Sequence, residues 1–410
     1  MDAQTKANNR NVVFLVIVAA LGYFVDIYDL VLFSVVRVQS LTEIGVPADR
    51  MQADGFTIIN SQMFGLLLGG LLWGVLGDKL GRIKVLFGSI LLYSLANIAN
   101  GFVTSVNSYA IIRFIAGIGL AGELGAGITL VAETMDKEKR GYGTMIVGAI
   151  GLLGAAVAAT VASKYTWQTS YFVGGGMGLA LLLLRVGTFE SGMFKNAANQ
   201  SNVAKGNIFM LFNNRKRFLK YLYCILIGIP LWFVVGILVT LAPEFGKALG
   251  ATEPLKAGTG IMFTYFGIAI GDVVTGLLSQ ILKSRRKTVF LFHLLSVVSV
   301  IVYLTSFGLN SSSFIWICLF MGFSVGYWAT FVTIASEQFG TNIRATVTTT
   351  APNFVRGALI PITFLFEYLS KKYSLITAGY LVMATLTILA IFGLSQLKES
   401  FNKDLDYLEE

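Results

Sequence analysis

The chain has 410 residues, of which 55% are hydrophobic and only 13% are charged. Soluble domains are closer to half apolar and a quarter charged, so this composition has more apolar surface than a soluble core would bury. It therefore excludes a soluble domain and a disordered chain, and it places the protein in a lipid bilayer.

The formal net charge of +9 would suit nucleic-acid binding if the basic residues formed one face. They occur instead as short clusters between apolar runs, so we expect no nucleic-acid partner. Cys224 and Cys318 lie inside apolar runs and are expected to pack as free thiols. The chain has a single histidine and no cluster of ligand-type residues, so neither a metal nor another cofactor is expected.

Twelve apolar runs reach the length of about 20 residues that a bilayer-spanning helix needs. They predict an all-α membrane protein with twelve transmembrane helices. The runs lie near 12–36, 57–76, 85–105, 108–132, 143–163, 171–189, 218–241, 257–281, 288–308, 312–335, 346–369 and 374–397. The first run follows Lys6 and Arg10, as in a signal peptide, but it is long and contains two aspartates, so we retain it as helix 1.

Lys and Arg are concentrated in the loops on one side of these predicted helices. The positive-inside rule then places both termini in the cytoplasm, with the helices in the cell inner membrane. The polar stretch 190–217 is the longest connection on that side and is typical of a linker. We therefore predict a six-helix bundle at 1–189 and a second one at 218–410, which ends in a short cytoplasmic tail. A monomer surrounded by lipid is sufficient for this arrangement.

The two halves also repeat one another. A shift of about 202 to 204 residues aligns Gly65 and Gly69 with Gly267 and Gly271, and Glu133 and Arg140 with Glu337 and Arg344. A repeated spacing between Glu and Arg is improbable in a chain with so few charges. Two homologous, pseudo-symmetric bundles are the simplest interpretation.

The loop between predicted helices 2 and 3 reads Gly74-Val-Leu-Gly-Asp78-Lys-Leu-Gly81-Arg82-Ile-Lys84. It closely resembles the loop signature of the major facilitator superfamily. The resemblance implies that Asp78 docks on the start of helix 11 and latches the halves in one conformation, with Arg82 pairing nearby. A carboxylate is disfavoured at the C-terminal end of its own helix, which is consistent with such docking. The alternative is a solvated turn.

The resemblance extends to further residues of the expected latch. Its predicted members are Gly74, Asp78, Gly81, Arg82, Glu133, Arg140, Glu337 and Arg344. Helix 4, from Arg113 to Glu123, and the stretch around Asp26 and Asp29 are similar to the metabolite:proton symporter branch. That branch carries many organic acids and zwitterions, and it implies protons as the coupling ion.

Several ionisable residues fall within the predicted helices, where each costs at least about 2.5–3.5 kcal/mol near the bilayer centre. The predicted proton-coupling residues are Asp26, Asp29, Glu123 and Asp272. Asp26 and Asp29 lie one turn apart and could share a proton, and Arg113 lies at a depth that allows a pair with Asp29. Asp272 has the alternative role of a hydrogen-bond partner in helix packing, and Arg113 that of a structural tie.

Arg356 lies between Pro352 and Pro361 in predicted helix 11, so we expect it close to the middle of the membrane on an interrupted helix. A guanidinium binds a carboxylate with two hydrogen bonds and keeps its charge at any relevant pH. The predicted substrate-binding residues are Arg356, Asn353, Arg113, Tyr28, Trp232, Tyr327 and Trp328. The aromatic members would form the pocket wall or would only pack between helices, and His293 is expected to be structural.

These patterns predict a secondary transporter that imports a small organic anion or zwitterion together with protons. A proton-coupled carrier of neutral sugars, or an exporter on the same fold, remains the alternative. A membrane enzyme is disfavoured because no nucleophile or metal site stands out. A receptor on the same fold is disfavoured because no soluble domain is appended.

Overall fold

The computed structural model describes residues 3–80, 82–122, 140–190, 208–401 and 409. Side chains are described there except at 3–12, 15, 74–75, 77–85, 140–145, 187–190, 208–209, 341–342 and 345. All regular structure in this part of the chain is helical. The predicted all-α fold is confirmed.

Six helices form the N-terminal half of the described chain. They are α1 (Ala3–Glu43), α2 (Met51–Leu80), α3 (Arg82–Asn100), α4 (Val106–Leu120), α5 (Arg140–Lys164) and α6 (Trp167–Glu190). Nine α-helices of different lengths follow a 3-10 turn at Ile208–Leu211. They are α7 (Arg215–Phe233), α8 (Ala242–Ala248), α9 (Ala257–Ile281), α10 (Arg285–Thr305), α11 (Ser311–Ser324), α12 (Trp328–Glu337), α13 (Thr341–Gly357), α14 (Leu359–Lys372) and α15 (Leu375–Gln396).

These helices account for the twelve predicted spans. Nine described segments are long and apolar enough to cross a membrane, and one of them, Ser311–Glu337, joins α11 and α12. Leu86–Asn100 and Val106–Leu120 are shorter apolar helices at the predicted third and fourth spans. Helices α13 and α14 together occupy the predicted eleventh span. The inner part of predicted helix 4, with Glu123 and Glu133, lies outside the described residues.

Three of the predicted spans are interrupted, and the sequence indicates the interruption only in the eleventh, between Pro352 and Pro361. In the seventh, Pro230 lacks a backbone N–H, and the chain continues as a π-helix at Val234–Val239. Directly after this π-helix, Thr240 Oγ1 donates a hydrogen bond to Val235 O at 2.9 Å. The tenth breaks between α11 and α12, and the eleventh breaks at Ala358. Apolar length alone could not reveal these breaks, because a broken span is as apolar as an intact one.

Close glycine contacts repeat between the halves, as the sequence shift predicts. A Cβ on Gly65 of α2 would lie 2.1 Å from Phe114 O of α4, and a Cβ on Gly267 of α9 would lie 2.2 Å from Leu319 O of α11. These positions therefore require glycine, because the backbones of the two helices touch. The matching contacts support two pseudo-symmetric bundles, while the boundaries at 189 and 218 stay a prediction.

A short tail after α15 packs against the ends of α10 and α12. The Glu399 carboxylate accepts hydrogen bonds from Ser284 Oγ and from the backbone N–H groups of Arg285 and Arg286. Burial raises the pKa of Glu399, but these hydrogen bonds and one from Phe401 N–H outweigh it and leave the pKa below its ordinary value of 4.5.

Replacing Glu399 with Gln should therefore lower stability in a pH-dependent way. A carboxylate whose pKa is depressed on folding stabilises the fold above its ordinary pKa, and this contribution is lost as the pH falls through the folded-state value. We expect the thermal midpoint of E399Q to lie below that of the wild type at neutral pH, with the difference shrinking as the pH falls below the ordinary carboxyl value of 4.5. Glu367→Gln serves as the control, since Glu367 pairs only with exposed Lys371. A difference that stays constant with pH would contradict the prediction.

Candidate functional site

An ion pair is buried in the N-terminal half between α1 and α4. Arg113 Nη1 donates to Asp29 Oδ1 at 2.8 Å and to Asn97 Oδ1 at 3.2 Å, and Nη2 donates to the Asp29 carbonyl at 2.9 Å. Both charged side chains are fully buried. The Arg113 guanidinium also lies 5.6 Å from the ring centroid of Tyr171 on α6. The structure thus brings together the two residues whose pairing the predicted depths allowed.

A second pair of opposite charges lies between the halves. Arg356 Nη2 of α13 lies 3.8 Å from Asp26 Oδ2 of α1, and both side chains are almost completely buried. This separation is too long for a hydrogen bond. Arg356 Nη1 lies 3.5 Å from Asn353 Oδ1, and its guanidinium lies 5.9 Å from the ring centroid of Trp232. Arg356 therefore lies over the Trp232 ring and near the Asp26 carboxylate, without a hydrogen bond to that carboxylate.

Asp26 and Asp29 were expected to share a proton because they lie one turn apart. In the structure each carboxylate is instead next to a different arginine, Asp29 next to Arg113 and Asp26 next to Arg356. One helix therefore contributes both to a tight pair inside its own half and to a loose pair across the two halves. The two aspartates therefore have different charged partners.

The central site is completed by groups from both halves. Asn353 Nδ2 donates to Ala121 O at 3.3 Å, next to the end of α4, and a Cβ on Gly70 of α2 would lie 3.1 Å from that amide nitrogen. The phenols of Tyr23 and Tyr265 lie within electrostatic reach of Asp26 and Arg356. The indole N–H of Trp232 has no hydrogen-bond partner among the described residues. The indole of Trp232 thus adds an unused donor near the charged centre.

The other predicted aromatic residues are placed differently. Tyr28 is fully buried and donates to Ser170 O at 2.8 Å, so it ties α1 to α6. Tyr327 is buried with its ring 5.0 Å from that of His293, and Trp328 lies 5.1 Å from the Phe331 ring. Both contacts lie in the C-terminal half, and that of Trp328 with Phe331 is within α12. Among the described contacts of Arg356, the aromatic partner is Trp232 and not one of these three residues.

The predicted latch is only partly visible. Gly74, Asp78, Arg82 and Arg140 lie within α2, α3 and α5, but their side chains are outside the described residues, as are Gly81 and Glu133. Glu337 binds Arg285 through two hydrogen bonds of 2.6 and 2.7 Å, within its own half. Arg344 Nε donates to Phe339 O at 3.2 Å. The latch between the halves stays a prediction.

Sequence reasoning missed an ion pair that joins the halves at the opposite end from the Lys- and Arg-rich loops, which we call the outer end. Arg37 Nη2 donates to both oxygens of Glu244 at 2.7 Å and to Thr240 O at 3.2 Å, and Arg37 is only 1% exposed. In the sequence Arg37 directly follows predicted helix 1 at 12–36, a position that indicates an outer loop. Its position eight residues after Asp29 on the same helix was the available signal.

Further contacts close the outer end between α2 and α14. Thr363 Oγ1 donates to Asn60 Oδ1 at 2.9 Å, and the rings of Phe56 and Phe366 meet edge to face at 6.2 Å. Together with the Arg37–Glu244 pair, these contacts seal this end of the interface between the halves. The central charges are therefore shut off from the outer side in this conformation.

Replacing Glu244 with Gln should favour opening of the outer end. Loss of a charged hydrogen-bond partner costs about 1.5–3 kcal/mol, which corresponds to a population change of about tenfold or more. A single cysteine at Val35, which lies close to Gly258 across the interface, reports the opening in a protein without Cys224 and Cys318. We expect its alkylation by a water-soluble maleimide to be faster in E244Q.

Arg50→Gln provides the matched control for this measurement. Arg50 immediately precedes α2 and pairs with Asp54 of that helix at 3.0 Å, and it is 63% exposed, so its loss does not touch the interface between the halves. Equal alkylation rates in E244Q and R50Q would show that the Arg37–Glu244 pair does not hold the outer end shut.

A helical membrane bundle with buried charges from both halves at its centre defines a transporter of small molecules. A family model for the Major Facilitator Superfamily matches residues 19–361. The chain belongs to this superfamily, and it is a transporter rather than an enzyme.

Known proteins resemble the chain over almost its whole length. A protein of Haemophilus influenzae named as a metabolite transport protein is 28% identical, covering 93% of this chain and 95% of its own. The sialic acid transporter of Escherichia coli is 23% identical, with 91% of each chain covered. The xylose transporter XylE from E. coli, in a partially occluded inward-open conformation, has a TM-score of 0.70 at 17% identity, covering 97% and 100% of the two chains. This last likeness shows the fold.

Proposed function

We propose that the protein imports a small organic anion, a carboxylate or a zwitterionic metabolite, together with protons. The observation that carries this proposal is Arg356, a buried guanidinium at the interface between the halves that stands 3.8 Å from Asp26. A carboxylate placed between the halves can take the bidentate hydrogen bonds that Asp26 does not make. A relative named for the transport of sialic acid, which carries a carboxylate, is consistent with this substrate class.

Competition for Arg356 gives a physical reason for coupling. When Asp26 is ionised, it neutralises Arg356 and repels an incoming carboxylate. When a proton binds to Asp26, the guanidinium is left with a net charge that the substrate can neutralise. Proton and anion therefore bind more favourably together than either does alone, which is the condition for symport.

The Asp29–Arg113 pair supplies a second point of coupling within α1. Protonation of Asp29 would weaken its hold on Arg113 and free α1 to move relative to α4. Because Asp26 is on the same helix, such a movement would change the distance between Asp26 and Arg356. We assign Asp26 and Asp29 as the leading proton-binding residues, with Glu123 as a further predicted one.

Transport would proceed by rocking of residues 1–189 against 218–397 around this centre, with Asp78 latching one end state. The protein would act as a monomer in the inner membrane with both termini in the cytoplasm, and protons would be its only coupling ion. Membrane lipid would be its only other partner.

Uptake into proteoliposomes tests the proposal. The panel contains aromatic, dicarboxylic, tricarboxylic and sugar acids, zwitterions and neutral sugars, each offered with and without an inward proton gradient. We expect gradient-stimulated uptake of an acid or zwitterion, accompanied by alkalinisation of the external medium. Uptake of a neutral sugar that survives Arg356→Gln would overturn the proposal in favour of a sugar carrier, and stimulation by an outward gradient would indicate export.

A further inference from the structure

The tenth span is broken within the membrane, which leaves backbone groups without helical partners. Helix α11 ends at Ser324 and α12 begins at Trp328, with no helical structure at 325–327. Tyr327, which stands at the N-cap of α12, gives that helix no side-chain cap. Backbone groups freed inside a bilayer must be satisfied by neighbouring protein.

Helix α9 satisfies these groups on both sides of the break. The Asp272 carboxylate accepts a hydrogen bond from Ala329 N–H at 3.0 Å and another from Trp328 N–H, so it caps α12 from a neighbouring helix. The Thr275 hydroxyl lies 3.1 Å from Gly326 O on the other side. A Cβ on Gly326 would lie 2.6 Å from Gly271 Cα, so the two backbones touch here.

The choice of an aspartate at this cap needs an explanation. The amide oxygen of an Asn or the hydroxyl of a Ser could accept the same hydrogen bonds without the cost of placing a carboxyl group in the membrane. What a carboxylate adds is negative charge, which strengthens the bond to the positive end of the helix and can be removed by a proton. The chemistry therefore indicates a cap whose strength changes with protonation.

We propose that Asp272 and Thr275 form a clasp that holds α12 against α9, and that proton binding to Asp272 releases α12 to pivot at residues 325–327. The proposal deepens the proposed function and rests on it, since it gives the coupled proton a second place of action in the C-terminal half. Asp272 is a positioning residue in this role.

Movement of α12 would change the packing around α13, the helix that carries Arg356 of the central site. A Cβ on Gly228 of α7 would meet Val355 of α13 at 2.8 Å and Phe331 of α12 at 3.3 Å. Helix α12 therefore packs beside the helix that carries Arg356. At its other end, Glu337 binds Arg285, so the pivoting helix also carries an inner-end ion pair.

Several titratable groups surround Asp272, but its own carboxyl is the one that caps α12, so its protonation is the proposed switch. Tyr23 of α1 lies within electrostatic reach of Asp272, Asp26 and Arg356, and so connects the clasp with the central site. On α10, His293 faces the ring of Tyr327. Titratable groups farther along the packed elements include Lys164, exposed at the outer end of α5, Arg140, whose side chain is not described, Glu244 and Lys247 of α8, and buried Cys318 of α11.

Distance measurements between two spin labels test the clasp. The labels are placed at Ser312 and Ser336, on either side of the break, in the full chain without Cys224 and Cys318, reconstituted in lipid nanodiscs. We expect the distance distribution to shift between pH 8.5 and pH 5.5 in the wild type. The Asn side chain of Asp272→Asn keeps an acceptor oxygen but stays neutral at both pH values. The shift should therefore be absent in this variant.

Two further variants make the result decisive. Asp272→Glu should restore the shift, and the control Glu367→Gln should leave it unchanged. A shift that persists in D272N, or a wild type without any shift, would overturn the clasp. The measurement uses neither substrate nor gradient, so its outcome is separate from that of the uptake experiment. Gradient-driven uptake with no effect of D272N would leave proton coupling standing and refute only the clasp.

Discussion

Arg113→Gln is expected to lower the free energy of unfolding by about 3–5 kcal/mol, because it leaves the Asp29 carboxylate buried without its charged partner. Both members of this pair are fully buried, and Arg113 makes three hydrogen bonds to Asp29 and Asn97. The unfolding midpoint of the purified protein in detergent at neutral pH reports the change. Transport should be lost together with stability.

The double variant Asp29→Asn/Arg113→Gln separates charge from structure. Removing both charges eliminates the unpaired carboxylate, so stability should recover most of what the single variant loses. Folded double variant should exchange substrate across the membrane but fail to accumulate it against a gradient. A double variant as unstable as R113Q would indicate that the hydrogen-bond network, and not the charge, accounts for the effect.

Arg356→Gln should reduce carboxylate uptake by about 30-fold or more, since loss of a buried partner for a charged group costs about 2 kcal/mol at least. Arg356→Lys should recover only a minor part, because an ammonium keeps the charge but cannot make the paired hydrogen bonds of a guanidinium. Initial rates of uptake at several substrate concentrations measure both effects, and the loss should appear mainly in KM.

Asp26→Asn is the informative companion to this variant. It mimics the protonated carboxyl, so it should retain substrate binding and exchange while losing stimulation by the proton gradient. Arg50→Gln, which changes an exposed charge far from the interface, is the control for folding and insertion. Normal carboxylate uptake by R356Q would remove the basis of the anion proposal.

The fold could be predicted from the sequence to a large extent because the bilayer imposes a simple rule. About 20 apolar residues make a span, and the glycine repeat that relates the halves reappears as backbone contacts at Gly65 and Gly267. The interruption at Ala358 was predictable from Pro352 and Pro361 on either side of it. The break at 325–327 could not be predicted, since it depends on a partner from another helix. At this break Asp272 accepts the hydrogen bond of Ala329 N–H, which lies 57 residues later in the chain.

The site residues could be predicted where an ionisable side chain lies inside an apolar run, because burying it there costs free energy. They were missed where the charged side chain lies at the end of a run and looks exposed. Asp29 and Arg113 stood out as ionisable residues in apolar runs, and the structure places them in contact. The pairing of Asp26 with Arg356 needs the two halves to be brought together, which no spacing within one helix conveys. Arg37 looked like a loop residue because it is near the end of a span, although it is 1% exposed.

The burial of Arg37 sets how the outer end responds to its surroundings. Mobile ions screen exposed charges over about 10 Å at 0.1 M salt, but they reach a buried pair only weakly. External salinity should therefore have little influence on the balance between closed and open outer ends. A cell that moves from fresh to salty water would therefore keep the same proportion of this transporter closed at the outer end.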